Sequence, residues 1–331
     1  MHPAFSVLFL TTLIGVGQGL FIALYTVQVY ATIYLLPQPF AGFYALGSLI
    51  ALAFLIGGLV ASFFHLGRPE RAWRSATRWR TSWLSREVIV LPALMGAVLV
   101  YGALHFLGWD LSVIGIRTAI PNDLTLFVGA GGALLAFLLY LCTGMIYACL
   151  KFLREWASWL TVVNYTLFGL ASGFLFAAAY SAWLAPQLTY FYGVWALIAT
   201  ATVLVTRAAS LVRNARLRPI STLQTAIGVR HARITQRAQG FMGGSFNTRE
   251  FFHNAPPWVF RSVKWVFLVL VFPIPAVLIW AGLSWHAVGL TAGGTVLAAA
   301  FVAQYLGLLA ERWFFFAQAN HPQNLYYQVV S

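Results

Sequence analysis

The sequence predicts an all-α polytopic membrane protein, eight transmembrane helices in a single bundle over residues 1–331, with both termini in the cytoplasm. Three observations carry that expectation. Hydrophobic residues make up 61% of the chain and charged residues only 8%, against roughly 25% charged in soluble domains. A chain so poor in polar groups cannot coat a globular surface, so its outside faces lipid. Apolar windows long enough to cross a bilayer recur eight times. The basic residues between them alternate in density from one loop to the next.

A helix needs about 20 apolar residues to cross roughly 30 Å of hydrocarbon. Such windows fall at 5–35, 41–64, 87–108, 123–150, 158–184, 189–210, 259–284 and 288–315. The first, fourth, fifth and eighth exceed that length and are expected to tilt or to run past the bilayer. The runs are continuously apolar rather than alternating, which excludes a β-barrel. The first stretch lacks a basic leader and is long enough to span, so it is expected to be a true helix, not a cleaved signal. The 13 Trp, 14 Tyr and 27 Phe suit a protein anchored at two membrane–water interfaces.

Orientation follows from the 20 Lys and Arg. The loops joining spans one to two, three to four, five to six and seven to eight are short and hold one of them, Arg117. The remaining 19 lie in or beside the other loops or near the C-terminal end. Positive residues stay inside, which places those loops and both termini in the cytoplasm. The net charge of +13 is thus read as a topology signal and not as a nucleic-acid footprint.

The loop at 65–87 reads HLGRPERAWRSATRWRTSWLSRE and interleaves arginines with Trp73, Trp79 and Trp83. Much of that pattern is an interfacial belt. His65 and Glu87 exceed it, because they close span two and open span three and so meet the same membrane surface. A quinone ring needs hydrogen bonds at its carbonyls and takes up two protons with two electrons. Histidine titrates near neutrality and can donate, accept or relay a proton, and a glutamate can pass protons to the aqueous side. This pair is the candidate quinone-binding site. The long loop at 211–258 is the other extramembrane segment of size, and Arg230, Arg233 and Arg237 mark it as a docking surface for a soluble partner. No Lys-Ser/Thr follows Gly243–Gly244, so it is not a phosphate loop.

Other chemistries find little support. Cys142 and Cys149 lie roughly 10 Å apart along a helix, too far for a disulfide, and two thiols cannot hold an iron–sulfur cluster. No metal site and no haem are expected, since no two histidines face inward at one depth. Carboxylates buried in series, the mark of ion-coupled transport, are not apparent either. The sequence therefore lacks a complete redox centre of its own, and electrons must arrive from another subunit.

MHPAFSVLFLTTLIGVGQGL at the start, the HLGRPERAWR hairpin, SWLSRE before span three and SFNTREFFH in the long loop together resemble the DmsC-type membrane-anchor family. That family includes the anchors of dimethyl sulfoxide reductase and of cytoplasm-facing sulfite dehydrogenase, and the first and last motifs look closer to the sulfite-dehydrogenase branch. The resemblance covers nearly the whole chain. It implies a quinone site (ubiquinone or menaquinone) without haem, at His65 and Glu87, with Arg68, Arg71 and Arg86 as supports. It also implies two partners, a ferredoxin-like iron–sulfur subunit and a molybdopterin catalytic subunit. The expected role is to pass electrons from sulfite oxidation to quinone. The rivals are a quinol-oxidising anchor for S- or N-oxide reduction, a purely structural anchor, and a secondary transporter. The last is disfavoured by an apparent lack of intramembrane charges and of paired broken helices; Pro273 and Pro275 could break span seven alone.

Overall fold

A computed structural model describes residues 4–110, 123–218, 222–235, 257–289 and 292–319. Its helices are α1 (Phe5–Thr32), α2 (Ala41–Phe63), α3 (Trp83–Leu107), α4 (Asp123–Ala148), α5 (Trp159–Leu184) and α6 (Thr189–Ala215). After a short α7 (Leu223–Ile227) come α8 (Pro257–Val271), α9 (Pro273–Ala287) and α10 (Ala292–Ala317). Eight spans result, each apolar and long enough to cross a membrane, because α8 and α9 together make the seventh. Among the described residues there is no strand.

The seventh span breaks at Phe272, where Pro273 begins a new helix; proline has no N–H to continue the ladder and its ring clashes with the preceding turn. Pro92 sits inside α3, which nonetheless runs on to Leu107. The sixth span extends further than expected, to Ala215.

Two helices form the centre. α1 and α5 are the most enclosed of the eight, and they cross at glycines. A Cβ placed on Gly19 would overlap the backbone oxygen of Gly169 and crowd Gly173. Only bare backbones can approach so closely, the small-residue solution to packing where lipid offers no hydrophobic drive. Around this axis, one apolar core joins α1–α6, α9 and α10. Leu8 of α1 packs with Phe315, Phe316 and Ala319, so the first and last helices meet at one end of the bundle. That end, which the 2–3 hairpin and the 4–5 loop also share, holds the site.

Candidate functional site

α2 ends at Phe63, and the chain leaves through Phe64 and His65 into a 3-10 segment, Pro69–Arg78. His65 is exposed on this turn. Partial burial against its surroundings lowers the imidazole below the ordinary histidine value. Arg68 and Arg71 are exposed as well, and Arg71 Nε lies 3.8 Å from Glu70 Oε1 at the surface, a pair worth little energetically. Arg86 turns back along the hairpin. It donates to the carbonyls of Trp79 and Arg80 at 2.9 Å each and lies 4.1 Å over the Trp83 ring. Arg86 therefore supports the hairpin itself. Arg74 over Trp73 and Arg80 over Trp79 repeat the motif at the surface.

Ser82 fixes where α3 begins, its side chain accepting from the Ser85 N–H; a serine there satisfies one of the orphan donors of the first turn. Starting at Trp83, the helix carries Glu87 in its second turn and points it inward. The Glu87 carboxylate accepts a 2.5 Å hydrogen bond from Thr143 of α4. It borders a small cleft walled by Leu10, Ile14 and Gln18 of α1, Tyr140 and Thr143 of α4, and Tyr165 of α5. Tyr140 is already spent on the Gly15 carbonyl, at 2.8 Å, and Gln18 donates to the Ala136 carbonyl. The cleft has a volume of about 10 Å³, room for roughly one water and too little for a quinone ring. His65 does not line it. The hairpin thus brings the two predicted residues to one end of the bundle but not to one cavity: His65 faces out and Glu87 faces in.

The expected lack of intramembrane charges is wrong. Arg207 of α6 and Glu311 and Arg312 of α10 are buried, with 1%, 0% and 2% of their surface exposed. Arg207 Nη2 meets Glu311 Oε1 at 2.8 Å, and Arg312 Nη2 meets Oε2 at 2.5 Å. Glu311 meets both guanidinium groups, and its pair with Arg207 joins α10 to α6. The sequence signal was present in two short runs, VTRAAS and AERWFFF, where charge interrupts an apolar span. Thr143 and Tyr165 were missed too. A clue to the first was Tyr140, Thr143 and Tyr147, spaced to share one face of α4.

In the long loop, Arg230 and Arg233 are exposed, and the N–H of Arg233 donates to His231 Nδ1 at 3.1 Å. Arg237 lies outside the described residues, as do the SFNTREFFH stretch and Arg117. The base of the loop is tied down. Arg213 donates to the carbonyls of Arg154 and Ala157, and Arg154 donates to that of Arg218.

An eight-helix bundle, apolar outside and charged at one inner end, with an aromatic and basic belt on its hairpin, defines a membrane-embedded subunit that presents one decorated face. Residues 1–235 match the family described as DMSO reductase anchor subunit (DmsC), and the chain belongs to that family. A sulfite dehydrogenase subunit from Allochromatium vinosum is 56% identical over 331 residues, covering 100% of both chains. The N-terminal and long-loop motifs had pointed to that branch.

Proposed function

We propose that this chain is the quinone-reactive anchor of a three-subunit molybdopterin oxidoreductase, delivering electrons from cytoplasmic sulfite oxidation to quinone in a bacterial inner membrane. Sulfite and water would give sulfate, two protons and two electrons at a molybdenum centre on a partner. A ferredoxin-like partner would carry the electrons through iron–sulfur clusters to the hairpin end. There a quinone takes them up with two protons and leaves as quinol. The cytoplasmic orientation rests on the distribution of arginines, and sulfite as substrate rests on the name of the 56% identical relative.

One observation carries the reading. Glu87, a carboxylate set inside the bundle yet close to its end, has one oxygen held by Thr143 and a one-water cleft beside it. Such a group can hold and release protons without admitting bulk water. His65 then takes the outer role, meeting the quinone carbonyl from the exposed turn, while the ring docks against the hairpin and not within the cleft. At neutral pH the lowered His65 titration leaves the imidazole uncharged, able to donate from one nitrogen and accept at the other.

A transporter with inverted repeats would break helices in matching pairs; among the described spans only the seventh is broken. The test is His65→Ala and Glu87→Gln in the assembled complex. Oxidation of sulfite with a soluble electron carrier should continue, because that route bypasses this chain. Quinone-linked turnover should fall by roughly 10- to 10⁴-fold, the range for losing a positioned proton-transfer group. Near-normal quinone turnover in both variants would leave a purely structural anchor.

A further inference from the structure

The buried charges do not balance. Glu311 is a single carboxylate between two guanidinium groups: Oε1 faces Arg207, and Oε2 meets both Nε and Nη2 of Arg312. One arginine would suffice to pair Glu311 and clamp α6 to α10. The second leaves an excess positive charge within a membrane span, where charge costs at least a few kcal/mol and persists at sites of function more often than by accident. Neither Arg312 Nη1 nor Arg207 Nε is taken up by Glu311.

The surplus cation is aimed. The Arg312 guanidinium lies 4.0 Å from the centre of the Tyr165 ring, closer than to Phe315 at 5.0 Å or Phe168 at 5.4 Å. Tyr147 stacks on Tyr165, with centroids 5.6 Å apart. Cation and stacked ring fix the phenol, and the phenol borders the Glu87 cleft. Tyr165 is only 6% exposed. Arg312 and Tyr147 both lie close to its hydroxyl, yet neither engages it in a well-formed hydrogen bond. A buried hydroxyl short of a well-formed partner is costly, and Tyr165 borders a cleft of one-water size. Tyr140, Gln18 and Thr143 in that cleft are engaged with Gly15, Ala136 and Glu87 itself, and Thr11 with the carbonyls of Val7 and Leu8.

We infer that Tyr165 is a third working member of the Glu87 site, donating its hydroxyl through the cleft to the group that holds the proton, and that Arg312, braced by Glu311 and Arg207, is its positioning residue. The inference rests on the proposed quinone reaction and deepens it. It also gives the excess charge a purpose, since a positive field behind the phenol steadies negative charge in the cleft each time a proton leaves. The groups facing Glu87 are few. Tyr140, Cys142 and Tyr147 come from α4, Tyr165 from α5, Arg312 and Glu311 from α10 behind Tyr165, and Arg86 from its own helix; α1 offers only Thr11 and Gln18, which do not titrate.

Tyr165→Phe keeps the ring, its stacking and its cation contact, and removes the hydroxyl alone. In the intact complex we expect quinone-linked kcat to fall roughly 10- to 100-fold, with KM for quinone within about twofold and the pH profile of kcat displaced. Arg312→Gln should displace that profile in the same sense, and Arg312→Lys should restore much of it by keeping the charge. Should Tyr165→Phe turn over quinone at the wild-type rate with an unmoved profile while Glu87→Gln is impaired, the inference falls and the quinone reading stands. If Glu87→Gln is also silent, the reading itself has failed. An Arg312→Gln complex that is heat-labile, yet whose assembled fraction keeps the wild-type profile, would reduce the cluster to a clamp and likewise overturn the inference.

Discussion

Two buried polar regions divide this bundle, and they are built by opposite means. At the end where Leu8 meets Phe315 and Phe316, charge is buried against charge: Arg207 and Arg312 both meet Glu311, and Glu87 leans on Thr143 nearby. In the other half the polar groups are formally neutral and linked by dipoles. Tyr101 donates to Gln28 at 2.7 Å, and Gln28 donates to Thr125 at 2.6 Å. His105 stacks on Tyr44 with centroids 4.4 Å apart and meets the edge of Tyr101. Both regions cross-link helices that lipid alone would not hold together. Only the first carries ionised groups, at much greater desolvation cost. A bundle needing no more than cross-links could use the second design at both ends, so the charged end is where chemistry is to be sought.

The largest effect expected from that contrast is on stability. Glu311→Gln would leave Arg207 and Arg312 buried with no carboxylate between them, and breaking a buried pair from one side costs about 3–5 kcal/mol. Thermal unfolding of the detergent-extracted protein should show a large drop, partly recovered when Arg207→Met is added. A change of less than about 1 kcal/mol would mean that water reaches the cluster, and the contrast between the two regions would lose its basis.

The dipole-linked region should break more gently. Gln28→Leu removes the acceptor of Tyr101 and the donor to Thr125, a loss of about 1–2 kcal/mol. Quinone-linked turnover per assembled complex should stay at the wild-type level, since Gln28 lies in the opposite half from Glu87. A fall as deep as that of Glu87→Gln would put redox chemistry at the His105 end instead.

The fold was almost wholly legible in the sequence, because crossing lipid imposes one demand, length of apolar helix, that composition reports directly. The end of the hairpin was legible only roughly: the apolar window starts at 87, whereas α3 begins at Trp83 behind its Ser82 cap. What could not be read was which way each side chain faces once the helices pack. His65 and Glu87 bracket one loop, and nothing local says that the first looks outward and the second inward. The Arg207–Glu311 contact joins residues 104 positions apart in sequence, and only the arrangement of α6 against α10 makes it. Thr143 and Tyr165 likewise become site residues through the meeting of α3, α4 and α5.

Charge on the surface offers the finest test of the contrast, because the same residue type should there act weakly and through water. Arg230 and Arg233 are exposed on the long loop, whose base is tied by Arg213 and Arg154 to the 4–5 loop at the hairpin end. A basic surface so placed suits an acidic face on the iron–sulfur partner. Reversing both residues to Glu should weaken co-purification of that partner several-fold at about 0.05 M salt. The difference should shrink at about 1 M, where the screening length falls to roughly 3 Å. Exposed pairs contribute about 0–1 kcal/mol each, and their main influence is on encounter and orientation, so the assembled fraction should retain its quinone-linked rate. A complex equally intact at both salt concentrations would show that docking relies on other surfaces. One lost at both would mean that these arginines are desolvated on assembly, and so belong with the buried cluster in kind.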